Sequence, residues 1–117
     1  MKFQLNQALY STYSSLVKPT VKALDDASKS PREAQLRRLL AILKKNQSTQ
    51  FGREHNFAQV KTEADFAQNV PVRDYESFRP YVENMMAGSG NILTAEDPFM
   101  FATTSGTTGK AKFIPVT

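Results

Sequence analysis

The chain has 117 residues, 40% of them apolar and 22% charged, with a net charge of +4 and no cysteine. That length allows one domain with a real core, and the composition excludes a disordered chain. The missing cysteine excludes disulfides and thiolate metal sites and is compatible with a reducing, cytoplasmic setting.

In chain order, the opening "MKFQLNQALYSTYSSLV" is not a signal peptide, because Gln4, Asn6 and Gln7 interrupt its apolar residues. No apolar run approaches the roughly 20 residues that span a bilayer. Phe3, Leu5, Leu9, Leu16, Val17, Val21 and Leu24 recur at near-helical spacing and predict a helix over about residues 3–26. Pro19 should kink or split it. A second helix begins at "SPRE", with Ser30 as N-cap, Pro31 at the first helical position and Glu33 completing a capping box. Its stripe for burial is Ala34, Leu36, Leu39, Leu40 and Leu43, with Arg37, Arg38, Lys44 and Lys45 off it. The triplet Asn46-Gln47-Ser48 matches a glycosylation acceptor and means nothing without secretion.

"STQFGREHNF" reads as a loop with Gly52 as its turn residue. "TEADFAQN" predicts a short helix with Thr62 as N-cap and Asp65 in the box position, ended by Pro71. A fourth helix runs from about Asp74 to Ala87, with Pro80 inside it as a place to begin anew near Arg79, and with Gly88 as the residue just past its end. "NILT", "PFMFATT" and "KFIPV" then read as short strands, Pro115 marking an edge or a strand end.

Helices first and strands last give a mainly α fold with short C-terminal β-strands, of the α+β class. The expected division is a helical segment over residues 1–90 and a strand-loop-strand over 91–117, together an incomplete single domain. Such strands have free hydrogen-bonding edges, so self-association through them is expected. Charge is uneven, with ten Lys/Arg against four Asp/Glu in residues 1–60 and five against seven in 61–117. The basic residues are scattered and lack an aromatic stacking platform. They read as a solvated helix surface, so neither nucleic acid nor membrane is expected as a partner.

Chemistry concentrates in "FATTSGTTGKAKFIPV". Gly106 and Gly109 allow positive φ and close approach, Thr103, Thr104, Ser105, Thr107 and Thr108 offer hydroxyls, successive amides can form an anion nest, and Lys110 and Lys112 can offset phosphate charge. The Walker A pattern fails, because only Thr107 and Thr108 separate Gly106 from Gly109, and Ala111 follows Lys110. The dinucleotide fingerprint fails in "GSGNIL", which has Leu93 in place of the third glycine and a helix before it. A plain Ser/Thr/Gly hairpin or linker is the bland alternative.

His55, the one histidine, has no nucleophile–carboxylate arrangement around it and reads as a packing or exposed loop residue. Asp25–Asp26 reads as a helix end and Asp97-Pro98 as a turn, not as metal or acid–base pairs. Met85 and Met86 read as packing residues, and Tyr10, Tyr13, Tyr75 and Tyr81 as residues that cover a core.

Thr104, Ser105, Gly106, Thr107, Thr108, Gly109 and Lys112 match the first adenylation motif of the enzymes that activate carboxylates as acyl-adenylates, with Ala111 where proline is usual. With the flanks "TQFGREHNF" and "VPVRDYESFRPYVENMMAGSGNILT", the chain from about Ser48 to Thr117 resembles the acyl-acid-amido synthetases, the auxin-responsive Gretchen Hagen family and its bacterial relatives. The resemblance implies a ligase that joins a carboxylic acid to an amine, usually of an amino acid, with ATP and Mg²⁺. It implies that these residues are the beginning of a large N-terminal α/β domain and are catalytically incompetent alone. Ser105, Gly106, Thr107, Thr108 and Gly109 would hold the β- and γ-phosphates, and Lys112 would add charge there. No catalytic side chain and no metal-ligating side chain is assigned. A coenzyme A ligase of the same adenylating chemistry and a non-enzymatic helical interaction module with a Ser/Thr-rich tail are the alternatives.

Overall fold

The computed structural model describes residues 2–104 and 110–117, with the backbone alone for residues 2–6 and 8. The chain is mainly helical and divides into two compact units, Met1–Arg38 and Leu39–Thr117. Among the described residues no helix is long and apolar enough to cross a membrane.

Helix α1 (Lys2–Lys29) continues through Pro19 instead of splitting there. Proline removes its own amide from the ladder, while the turns on either side keep theirs. Lys22–Asp26 and Lys29–Asp25 ion pairs, at 3.2 and 2.6 Å, place the two aspartates on a solvated helix end. Leu9, Tyr10, Tyr13, Leu16, Val21 and Leu24 are exposed. Tyr10 and Tyr13 therefore cover no core within their unit, contrary to the sequence expectation, because α1 carries them on its open surface.

Helix α2 (Pro31–Asn46) starts at the predicted proline. Leu43 is buried, Ala34, Leu36, Leu39 and Leu40 are half-buried, and the four basic residues off that stripe are exposed. The next stretch corrects the sequence reading. Gly52 is not in a turn but inside helix α3 (Gln50–Glu54). A side chain there would place its Cβ 2.1 Å from the Asn46 carbonyl oxygen. Glycine serves close approach here, not a turn. Fully buried Thr49 caps α3 by accepting from the Gly52 amide at 2.9 Å, and its hydroxyl donates to the Asn46 carbonyl at 2.7 Å.

"NILT" forms no strand. Its first two carbonyls, of Asn91 and Ile92, accept from the amides of Gln50 and Phe51 at 2.9 and 3.1 Å. The segment thus satisfies orphan donors at the start of α3, a role alternation cannot reveal. Asn46, of the glycosylation-like triplet, accepts from the Ala95 amide through its side chain at 2.9 Å, so its amide side chain serves packing.

The core joins Leu43, Phe51, Phe57 and Val60 with Leu39, Phe66, Val70, Phe78, Tyr81 and Leu93 around them. Phe51 is its hub, stacked on His55 at 4.0 Å and meeting the rings of Phe57, Phe78 and Tyr81 at 5.9, 5.6 and 5.5 Å. His55 is buried, its Nδ1 lying 3.2 Å from the Phe51 carbonyl. It is a packing histidine, the first of the two readings, packing or exposed, that the sequence left open.

Helix α4 (Glu63–Asn69) has the predicted Thr62/Asp65 capping box, and a 3₁₀ turn (Phe57–Gln59) precedes it. Helix α5 (Tyr75–Met86) runs unbroken through Pro80 from its Asp74 cap. It closes as predicted at Gly88 (φ 92°), with Gly88 donating to Met85 and Ser89 to Asn84. Met85 is buried, but Met86, 46% exposed, is not a packing residue. Strands β1 (Met100–Thr103) and β2 (Phe113–Val116) pair antiparallel in the register Thr103↔Phe113 to Met100↔Val116.

Replacing Gly52 by alanine forces a methyl group against a backbone carbonyl and should destabilise the Leu39–Thr117 unit by about 3 kcal/mol. In urea denaturation the midpoint is expected to fall with the slope preserved.

Candidate functional site

The hairpin stem presents residues 104–112 between β1 and β2. The Thr104 amide donates to the Lys112 carbonyl at 3.1 Å and closes the segment at its base. Ser105, Gly106, Thr107, Thr108 and Gly109 lie outside the described residues. Lys112 is described, exposed at the end of the segment.

Ladder alternation decides what happens on the free side of β2. Thr104 and Lys112 form a hydrogen-bonded pair, so the next pair, Thr103 and Phe113, is of the non-bonded class, with its backbone groups directed away from the partner strand. Both groups of Phe113 are taken by one side chain. The Tyr75 hydroxyl donates to the Phe113 carbonyl at 3.0 Å and accepts from its amide at 2.7 Å. Pro115 is the next residue of that class, and it has no amide to satisfy.

Tyr75 opens α5, and Arg79 follows one turn later on the same face. The Arg79 guanidinium lies 5.0 Å from the Tyr75 ring centre and binds Glu76 through Nε and a terminal nitrogen at 2.7 and 2.8 Å. Its other terminal nitrogen reaches the Ala111 carbonyl at 3.5 Å. The Lys112 ammonium lies 5.7 Å from the Tyr75 ring centre and makes no ion pair among the described residues.

The acids at the start of α5 are occupied locally. Ser77 donates to the Asp74 carboxylate from its hydroxyl and its amide, at 2.8 and 3.1 Å. Those bonds hold the Asp74 carboxyl below the usual aspartate range, with a weaker pull from Lys112. Arg79 does the same for Glu76, with a smaller contribution from Lys110. Among the described residues no cluster of His, Cys, Asp or Glu could hold a metal ion.

Sequence reasoning missed Tyr75 and Arg79 as site residues. Their i, i+4 spacing was visible, but nothing local says that their face meets a strand 38 residues away. Two surface grooves, one along α1 through Tyr10, Tyr13 and Val17 and one beside Leu43, Phe57 and Val60, are lined by no described residue of the hairpin segment.

The arrangement is a hairpin whose loop exit is fastened to a helix and flanked by lysines that form no ion pair among the described residues, carried on a helical domain. The chain belongs to the GH3 family: residues 20–117 match the model of the GH3 family N-terminal domain. It is 33% identical over 102 residues to indole-3-acetic acid-amido synthetase GH3.15 of Arabidopsis thaliana, covering 86% of this chain and 17% of that protein. It is 31% identical over 100 residues to indole-3-acetic acid-amido synthetase GH3.17 of the same plant, covering 83% and 16%. With the probable indole-3-acetic acid-amido synthetase GH3.2 of Oryza sativa subsp. japonica it shares 35% identity over 83 residues, 69% of this chain and 14% of that one. The chain thus spans less than a fifth of the length of these relatives. No solved structure matches it.

Because the Asp74 carboxyl is held low in the fold, its contribution is fully present above the usual aspartate value of 3.8 and is lost as pH falls through the lowered value. Asp74→Asn keeps a cap acceptor that does not titrate. Its stability should therefore fall less steeply on acidification than the wild type's, read by urea denaturation between about pH 2 and 6.

Proposed function

We propose that this chain is the N-terminal part of the large α/β domain of an ATP-dependent acyl-acid-amido synthetase, and that its loop holds the phosphates of ATP. The observation that carries the reading is Lys112, held at the base of a Ser/Thr/Gly loop with its ammonium unpaired by any described carboxylate. Ser105, Gly106, Thr107, Thr108 and Gly109 supply amides and hydroxyls to the β- and γ-phosphates, and Lys112 supplies charge. Bound with the nucleotide, Mg²⁺ would screen the charge of its phosphates. The described residues offer it no ligand cluster.

A carboxylate oxygen then forms a bond to the α-phosphorus. The bond from that phosphorus to its bridging oxygen breaks, and pyrophosphate leaves with the electron pair. An amine subsequently attacks the acyl carbon, AMP leaves and the amine proton passes to solvent. The loop's contribution is to hold the departing pyrophosphate in line and to stabilise its charge. The relatives are named for indole-3-acetic acid, and for this chain the substrates are read as a carboxylic acid and an amino acid. Self-association, where it occurs, uses the outer edge of β1, because Tyr75 and Pro115 occupy that of β2.

Titration of the chain with Mg-ATP should shift the backbone amide signals of Thr104, Lys110 and Lys112. Lys112→Ala should weaken the response about tenfold, the scale of one charge-assisted contact. The same chain should release no pyrophosphate with any carboxylate, since it spans so little of its relatives. Amides that ignore nucleotide overturn the phosphate reading, and turnover overturns the claim of incompetence.

A further inference from the structure

We propose that Tyr75 is the positioning residue of the phosphate loop: it stands in for a neighbouring strand on the free edge of β2 and sets Lys112 at the loop exit with its charge intact. The proposal rests on the phosphate reading above.

Three consecutive residues at the loop exit are contacted from the first two turns of α5. Arg79 reaches the Ala111 carbonyl, the Tyr75 ring lies against the Lys112 ammonium, and the Tyr75 hydroxyl takes both backbone groups of Phe113. A phenol both donates and accepts, so one side chain reproduces the paired bonds that an antiparallel partner residue would give. Phenylalanine has the ring without the bonds. A carboxylate could fasten Lys112 but would cancel its charge, whereas an aromatic face attracts the ammonium and leaves it positive. The Arg79 charge is directed to Glu76, which separates the cation that fastens the loop from the cation that faces its ligand.

The test compares wild type, Tyr75→Phe, Tyr75→Leu and, as a control, Tyr81→Phe, which removes a hydroxyl bond to Glu54 elsewhere on α5. In the free chain, hydrogen exchange at the Phe113 amide should quicken about tenfold in Tyr75→Phe and Tyr75→Leu and stay unchanged in Tyr81→Phe. The upfield ring-current shift of the Lys112 side-chain protons should persist in Tyr75→Phe and vanish in Tyr75→Leu. Mg-ATP should bind about tenfold more weakly to Tyr75→Phe, more weakly still to Tyr75→Leu, and normally to Tyr81→Phe. Unchanged Phe113 exchange in Tyr75→Phe overturns the proposal. So does faster exchange with unchanged Mg-ATP affinity, which reduces Tyr75 to a structural residue while the phosphate reading stands. A wild-type loop indifferent to Mg-ATP overturns the phosphate reading itself, and the positioning role with it, whatever the exchange data show.

Discussion

Four rings meet Phe51, and the Leu39–Thr117 unit is organised by that contact. Helix α3 is a single turn and more, far too short to persist in water by itself. It exists because Thr49 caps it, Gly52 lets it lie against the end of α2, and the carbonyls of Asn91 and Ile92 take its first amides. Thus fixed, it holds the Phe51 ring where Phe78 and Tyr81 of α5 pack on it. With α5 anchored along its middle, its first turn has no freedom to wander, and Tyr75 meets β2. The precision of the loop exit is therefore inherited from a core that includes no described loop residue, the relation expected of a site supported by rigid elements.

Much of this was written locally. The Thr62/Asp65 box, the Pro31 start, the Gly88 stop and the α2 stripe each depend on neighbours within a turn or two, so their spacing in the chain carries them. The loop is read as a phosphate loop from its local order of glycines and hydroxyls, and Ser105, Gly106, Thr107, Thr108 and Gly109 lie outside the described residues. What was lost in the sequence is what depends on distant partners. Gly52 looks the same whether it serves a turn or a close approach, and the Asn46 carbonyl decides between them. "NILT" has strand-like composition but spends its carbonyls on a helix start. Tyr75 at helical spacing looks like a core tyrosine until the register of β2 leaves the Phe113 backbone unpaired. Tyr10 and Tyr13 fail in the other direction, since periodicity shows that residues share a face but not what the face meets.

The start of α5 answers two opposed electrostatic demands. A helix start favours acids, because its unpaired amides and its dipole attract negative charge, and Asp74 and Glu76 sit there accordingly. The proposed phosphate loop beside it would be weakened by free negative charge. Each acid is given a partner within three residues: Asp74 takes the hydroxyl and amide of Ser77, and Glu76 takes the fork of Arg79. Both carboxyls are held low, so the acids stay ionised, and their strongest bonds point back into the helix and not toward the lysines. The ammonium of Lys112 makes no ion pair among the described residues and is supported by a neutral ring. Substituting a carboxylate for that ring would fasten the lysine more strongly and make it useless for an anion. A tyrosine at position 75 resolves the conflict because its hydroxyl meets the backbone while its face meets the cation.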